Sequence, residues 1–371
     1  MAVIITTSTI ALSLVLFDKY EKRFDWLKIA FFILTFVACI HYNYGNDYKA
    51  YYWNWEFTSD NSLKTLIISN GYGFYKNIKP EVGWIFLNKL FGFHNGFYFM
   101  VAFMNIVEGI IYYKFIKRFV PKRMCFWAFF LYVFTYKYYL LNFSMMRQGF
   151  AMTLVLLSFL FFCKKKYIMT LVILAIAISI HTSSLIIVPF LMLCKFEEKM
   201  KLQIYGLIIL IITLLFFFAT SFSSKLFDLI VSLPFFTDYK TFYTGNLSTN
   251  SIGFGFALLT IPYFVMLYYM IYKPRDITVE EKYLIILAYI AFLTKPFEFI
   301  GTSLVSRIGY IFSMFDIAII PVMYSKIKQP VIRFGLYLSL VVITVYSYIG
   351  FYMDPTYQKA FAEFHTIFEL F

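Results

Sequence analysis

Long apolar segments recur along the whole chain, and they restrict its fold more than any other feature. A helix needs about 20 predominantly apolar residues to cross the hydrocarbon core of a bilayer, because each residue adds only about 1.5 Å. The chain is 61% hydrophobic and 14% charged, whereas soluble domains are about 25% charged. The pattern predicts an all-α, polytopic helical membrane protein in which residues 1–371 form a single integral membrane domain.

These segments predict about 12 transmembrane helices. They lie near residues 1–17, 26–41, 94–113, 124–140, 147–163, 167–181, 184–194, 202–222, 252–272, 283–294, 307–324 and 331–350. A shorter stretch, Val82–Phe93, is interpreted as a re-entrant or interfacial helix.

Basic residues between the apolar segments predict the orientation of the chain. The first segment is followed rather than preceded by Lys and Arg, the reverse of a secretory signal, so it is interpreted as a retained helix with its N-terminus outside. Residues 167–194 are interpreted as a broken helical hairpin that turns at His181. With two passes there, about two thirds of the 33 Lys and Arg residues fall inside, as the positive-inside rule favours. Orientation in the membrane explains the net charge of +13, and no nucleic-acid partner is predicted.

The long polar segments then lie on the outer side of the membrane. They are the predicted loops at about 42–81, 223–251 and 295–306. The tail, 351–371, carries aromatic residues at helical spacing and is predicted to be an amphipathic helix at the outer membrane interface. Because the inner loops are short and basic, we expect the functional site on the outer side.

Two arginines open apolar helices on that outer side, where the positive-inside rule disfavours them. Arg147, followed by Gln148, begins one helix, and Arg307 begins another. Arginine binds phosphate through paired N–H groups, and the free N–H groups of a helix N-terminus also attract anions. The two residues therefore indicate a bound anion such as a lipid diphosphate. The alternative is that each side chain extends to lipid headgroups.

Two further residues are candidates for proton transfer. His181 lies at the predicted turn, where a neutral imidazole can act as a general base or only make a structural hydrogen bond. Glu81 precedes an apolar helix, where it can be a base, a sugar ligand or simply a favourable charge at a helix N-terminus.

Aromatic residues on the outer side are candidates for sugar binding. Asp47 and Tyr48 lie in an aromatic stretch, and Trp84 follows Glu81 closely. Aromatic rings can stack on sugars while a carboxylate accepts hydrogen bonds from their hydroxyls. Aromatic rings also form belts at membrane interfaces, and this second interpretation explains most of the individual rings.

No motif indicates a nucleotide, a metal or a cofactor. The sequence contains no GxGxxG, GxxxxGK[ST], HExxH, CxxC or GxSxG pattern, and its four cysteines lack metal-ligand spacing. We therefore expect neither a cofactor nor a metal.

The stretch MRQGFAMTLVLLSFLFFCKKKYIMTLVILAIAISIHTSSLIIVP resembles the EpsG branch of the Wzy-type bacterial polysaccharide polymerases. In that family an Arg-Gln pair opens a helix, a basic turn follows, and a second helix ends in His-x-Ser before a proline. NDYKAYY, KPEVGWIFLNKLF and SRIGYIF are similar to other elements of the family, so the likeness covers roughly residues 40–320.

The resemblance implies a type-C glycosyltransferase of the bacterial inner membrane with its active site on the periplasmic side. Such an enzyme transfers a growing glycan from undecaprenyl diphosphate to a lipid-linked repeat unit, without a nucleotide sugar or a metal. By resemblance, Arg147 and Arg307 would hold the donor diphosphate, and His181 or Glu81 would activate the acceptor hydroxyl. Its partners would be the lipid-linked donor and acceptor, membrane lipids and, as a candidate, a chain-length regulator.

The chain departs from the family pattern in having no large soluble outer loop. Acceptor recognition would then rest on loops 42–81 and 223–251 and on the tail.

Three other functions remain open at this point. An O-antigen ligase shares the chemistry and differs only in its acceptor. A lipid-linked oligosaccharide flippase should show inverted repeats, and a membrane acyltransferase should place a histidine near an early arginine pair, which His41 lacks. The order of the motifs favours the polymerase.

Overall fold

A computed structural model describes residues 1–18, 24–68, 71–72, 75–76, 81–196, 202–218, 254–295 and 303–370. It describes only the backbone of residues 67–68, 71–72, 75–76, 196, 214–218, 254–257 and 303–307. The predicted loop 223–251 and residues 296–302 of the predicted loop 295–306 lie outside the described residues.

Helices dominate the part of the chain that the structure describes. In chain order they are α1 (Ala2–Phe17), α2 (Trp26–Cys39), α3 (Tyr48–Asp60), α4 (Leu63–Ile68), α5 (Val82–Leu90), α6 (Gly96–Phe119), α7 (Cys125–Phe134), α8 (Met146–Cys163), α9 (Tyr167–Ile180), α10 (Ile187–Phe196), α11 (Leu202–Phe218), α12 (Phe254–Tyr272), α13 (Val279–Leu293), α14 (Ser303–Ser313), α15 (Asp316–Ser325), α16 (Pro330–Met353) and α17 (Pro355–Gln358). Short strands form two antiparallel pairs, β1 (His41–Tyr42) with β4 (His365–Thr366) and β2 (Gly71–Tyr72) with β3 (Tyr75–Lys76).

Several of these helices have the composition of membrane spans. Among the described residues, three are long and apolar enough to cross a bilayer, namely α6, α8 and α16. Shorter apolar helices accompany them, including α1, α2 and α9. The structure is that of an all-α, multi-pass membrane protein, and the count of 12 spans stays a prediction.

Contacts divide the described residues into two compact units. Unit 1 comprises Met1–Leu185 and Thr344–Phe371, and unit 2 comprises Ile186–Ile343. The sequence pattern predicts one integral domain and contains no signal for this division.

In unit 1, α6 packs between α2 and α8, and α8 packs along α9. Gly109 of α6 faces Thr35 of α2, where a Cβ would collide with the threonine side chain. The glycine therefore allows these two helices to approach closely, as small residues do in membrane helix packing.

The two ends of unit 1 differ in character. At one end the Met1 amine donates to the Ala362 carbonyl oxygen at 2.8 Å, and β1 pairs with β4. At the other end Nζ of Lys117 lies 2.6 Å from Oδ2 of Asp25. The N-terminus and the C-terminal tail therefore lie at one end of unit 1, and Lys117 lies at the opposite end. The orientation of these ends in the membrane stays a prediction.

Unit 2 contains its own buried polar contact. Tyr263 donates a hydrogen bond of 2.8 Å to Oδ2 of Asp316, and both residues are buried. At one end of α13, Thr278 and Glu281 form a reciprocal capping box, which satisfies two backbone N–H groups.

Two predicted spans are interrupted in the structure. The span predicted at 124–140 is helical only as far as Phe134, and beyond this break Tyr139 donates to the Leu34 carbonyl oxygen at 2.9 Å. The span predicted at 307–324 is divided between α14 and α15. Apolar composition alone does not reveal either break.

The predicted loop 42–81 contains α3, α4 and the β2–β3 pair rather than irregular chain. The sequence did not predict α3, because helices were predicted from apolar runs and α3 contains many polar residues.

The tail does not form the amphipathic helix that was predicted along 351–371. Instead α16 continues to Met353, and the short α17 precedes β4 and a final 3₁₀ turn. Phe361 is completely buried, with its ring centroid 4.9 Å from that of Tyr44. Burial of this ring and pairing of β4 with β1 hold the tail against the rest of unit 1.

Candidate functional site

Glu81 lies where three helices of unit 1 meet. It is the residue immediately before α5, in an extended conformation, and only 7% of its side chain is exposed. The start of α8 and the end of α9 both supply groups to its carboxylate. A buried carboxylate requires such partners, because an isolated charge is costly in a medium of low dielectric constant.

Arg147 is one of these partners. It is the second residue of α8, so it stands at a helix N-terminus as the sequence predicted. Its Nη1 lies 3.0 Å from Oε2 of Glu81, and 21% of its side chain is exposed. The arginine side chain is thus partly accessible while its guanidinium is oriented by a buried carboxylate.

His181 is the second partner. It ends α9 in an extended conformation, which confirms that the helix is interrupted at this residue. Its Nδ1 lies 3.1 Å from Oε1 of Glu81. An ionised carboxylate can only accept hydrogen bonds, so Nδ1 carries the hydrogen and the lone pair of the neutral ring lies on Nε2.

The backbone N–H of Thr182 completes the cluster and was not foreseen from the sequence. It donates to Oε1 of Glu81 at 2.7 Å. The extended conformation of His181 exposes this N–H by ending the helix. Glu81, Arg147, His181 and this N–H are called the Glu81 cluster below.

The charge state of Glu81 follows from these contacts. Burial alone would raise the pKa of Glu81, but the Arg147 guanidinium, His181 and the Thr182 N–H together lower it to about 2. Glu81 is therefore ionised at neutral pH and is a poor proton acceptor. The geometry leaves His181 as the better candidate for a base.

A buried polar pair supports the start of α8. Asn142 donates to Oε2 of Glu108, whose carboxyl group is buried in α6, and Gly149 of α8 lies directly against Asn142. Glu108 is not among the candidate residues predicted from the sequence. An acidic residue inside the apolar segment 96–119 is the signal that could have identified it.

The other predicted site residues are dispersed. Gln148 is buried within α8, and Asp47 accepts a hydrogen bond from Asn46. Tyr48 and Trp84 are also buried, 2% and 1% exposed. Their rings pack edge-to-face against Phe97 and Tyr51 respectively. Because both rings are buried, neither has a face on which a sugar could stack. In the structure Tyr48 and Trp84 pack against other side chains rather than forming the predicted substrate contacts.

Arg307 lies on α14, in unit 2, and its side chain is outside the described part of the structure. Its predicted role therefore stays a prediction.

A comparison with protein families identifies the chain. The model of the EpsG family matches residues 26–363, which includes the whole Glu81 cluster. The chain belongs to the EpsG family. EpsG proteins are Wzy-like polysaccharide polymerases, so the resemblance drawn from the short motifs is confirmed. No curated protein and no solved structure matches this EpsG chain.

Proposed function

We propose that this EpsG chain is a membrane glycosyltransferase that polymerises a polysaccharide. It transfers the growing glycan from undecaprenyl diphosphate to the sugar of a fresh lipid-linked repeat unit, on the outer face of the bacterial inner membrane. The proposal rests on one observation above all: a partly accessible arginine and a histidine are held by the same buried carboxylate.

His181 acts as the general base in this reaction. The acceptor hydroxyl oxygen attacks the anomeric carbon of the donor sugar, and its proton passes to Nε2 of His181. Glu81 accepts a hydrogen bond from Nδ1–H, which fixes the tautomer and stabilises the imidazolium that forms. A carboxylate beside a histidine performs the same service in hydrolytic triads.

Arg147 stabilises the leaving group. As the bond from the anomeric carbon to the diphosphate breaks, its electron pair remains on the diphosphate oxygen. A guanidinium has five N–H donors, so contact with Glu81 does not exhaust it. Donors that are already oriented toward developing charge are among the largest contributors to catalysis. Arg307 is the proposed second ligand of the diphosphate.

The test is a purified-protein assay with the undecaprenyl-diphosphate repeat unit as the only substrate, resolved on a gel. We expect a ladder of products from the unmodified protein. Arg147→Ala and Arg307→Ala should each reduce the rate at least about 100-fold, the scale measured for the loss of one transition-state donor. Lysine at position 147 should restore little activity, because a point charge cannot reproduce the planar fork of arginine.

The matched control is Lys64→Ala, which removes an exposed cation from the same unit outside the Glu81 cluster. It should leave the ladder unchanged. A normal ladder from both arginine variants, at normal protein level, would contradict the diphosphate role. Transfer of a single glycan to a different acceptor, with no ladder, would instead indicate a ligase.

A further inference from the structure

An open polar groove lies beside the C-terminal tail in unit 1. Its volume is about 620 Å³, and its lining includes Asn43, Asn46, Lys49, Thr356, Lys359 and His365. Pockets that bind small organic ligands generally enclose about 300–1,000 Å³. The groove thus has the size for a bound molecule, and it lies outside the Glu81 cluster.

Both walls of the groove are held in place by the fold. On the tail side, Phe361 is buried against Tyr44, and the Ala360 carbonyl oxygen accepts a hydrogen bond from the Gly45 N–H at 3.1 Å. Just beyond, β4 pairs with β1. The exposed polar side chains therefore stand on backbone that is fixed relative to the opposite wall, which lowers the entropic cost of binding a ligand between them.

The groove is connected to the Glu81 cluster through the chain that precedes α8. Asn46, on the groove, accepts a hydrogen bond from the Ser144 hydroxyl. Gly45 has a φ of +108° and lies directly against the Phe143 carbonyl, where a side chain would collide. Ser144 precedes Arg147 by three residues, so their Cα atoms are at most about 11 Å apart. A molecule in the groove lies within a few sugar lengths of Arg147.

The lining suits a hydroxyl-rich ligand. Amides, a hydroxyl, an imidazole, two ammonium groups and the Glu363 carboxylate supply donors and acceptors, and the apolar lining residues are only small ones, Pro355, Ala360 and Ala362. An acyl chain would find no large apolar wall here. Several well-placed polar groups are what hydrogen-bonded recognition of a polar ligand requires.

We propose that this groove binds the oligosaccharide portion of the lipid-linked substrate, and that the tail forms one wall of that subsite. This inference rests on the proposed function for the identity of the ligand. Donor and acceptor carry the same repeat unit, so the oligosaccharide of either one presents the same hydroxyl groups to the groove.

The first experiment measures binding without catalysis. Oligosaccharide released from the lipid-linked repeat unit by mild acid is titrated onto the purified Arg147→Ala protein, with and without the added pair Lys49→Ala and Lys359→Ala. We expect the pair to weaken binding at least 10-fold. The control pair Lys64→Ala and Lys166→Ala, two exposed lysines outside the groove, should leave binding unchanged. Equal affinity in the groove and control pairs would overturn the proposal.

The second experiment uses the active protein. The groove pair should raise KM for the lipid-linked repeat unit at least 10-fold while kcat stays within about twofold, because the groove lies away from the reacting atoms. A lower kcat at unchanged KM would also overturn the proposal. The binding experiment uses an inactive protein, so its result does not depend on polymerase activity. Failure of the proposed function and failure of the proposed oligosaccharide subsite can therefore be told apart.

Discussion

Glu81 organises the candidate site at the scale of single residues. Its two oxygens contact the side chains of Arg147 and His181, which lie on different helices and are 34 positions apart in the chain. One carboxylate therefore fixes the relative position of the proposed base and of the proposed diphosphate ligand. Removal of either partner would leave a buried charge less well compensated, which is generally more destabilising than the pair is stabilising.

The lowered pKa of Glu81 predicts a pH-dependent contribution to stability. The pKa is about 2 in the folded protein against an ordinary value of 4.5. A lowered pKa means that the folded state favours the ionised form, so the stabilisation is fully present above about pH 5 and is lost as the pH falls from 4.5 toward 2. From the size of the shift, it is worth about 3 kcal/mol at neutral pH.

The variant Glu81→Gln tests this contribution. Its thermal unfolding midpoint in detergent should lie well below that of the unmodified protein at pH 7, and the difference should narrow as the pH approaches 3. Glu56→Gln, an exposed glutamate on α3, serves as the control and should show no such trend. A difference that is constant from pH 7 to pH 3 would show that the charge of Glu81 is not what stabilises the site.

At the scale of elements, the close packing of α5 on α9 brings Glu81 to His181. Gly83, in the first turn of α5, faces Ser179 and the backbone of Ile180, where any Cβ would collide. Glu81 is two residues before this contact and His181 is one residue after it. The distance between the carboxylate and the imidazole therefore depends on the absence of a side chain at position 83.

Gly83→Val should separate the two helices. We expect polymer synthesis to fall at least about 10-fold, with an overpacking cost of about 1–3 kcal/mol in stability. Gly335→Val on α16 is the matched control, because a Cβ at this position would meet nothing within 4 Å. Product ladders and unfolding midpoints of both variants, at equal membrane levels, provide the measurement. Normal synthesis by Gly83→Val would show that this contact does not position the site.

The helices themselves were largely predictable, and their interruptions were not. The apolar run at 147–163 predicts α8 to within one residue, because twenty or so apolar residues have few stable arrangements other than a membrane helix. The run at 124–140 was also predicted as a single span, but α7 stops at Phe134, just before the polar stretch that contains Lys137. Beyond this break, Tyr139 donates to the Leu34 carbonyl oxygen of α2, a contact between residues distant in sequence.

At the scale of the whole molecule, four features lie at the same end of unit 1: the N-terminus, the tail, the groove and the Glu81 cluster. The opposite end holds Lys28, near the start of α2, and Lys114, Lys117 and Arg118, near the end of α6. The positive-inside rule assigns the basic end to the cytoplasm. We therefore expect the proposed site to face the outer compartment, where lipid-linked repeat units would be polymerised.

Labelling with a membrane-impermeant maleimide tests this orientation. In a variant without the four native cysteines, a single cysteine at Lys359 or Lys49 should be labelled in intact spheroplasts. A cysteine at Lys166 or Arg123 should be labelled only after the membrane is permeabilised. All four positions are exposed in the structure, so a difference in labelling between the two pairs would not come from a difference in solvent exposure. Labelling of both pairs from the same side would contradict the orientation.

The sequence by itself determined the class of the protein, its family and three members of the candidate cluster. Apolar composition and the distribution of basic residues act over whole segments, so they can be read without knowledge of the fold. Only the tertiary structure decided that Glu81 lies between Arg147 and His181, that Tyr48 and Trp84 pack inside, and that the tail pairs with β1. Each of these features depends on contacts between residues that are distant in sequence. A local sequence pattern does not predict which of many similar aromatic or polar side chains will come into contact.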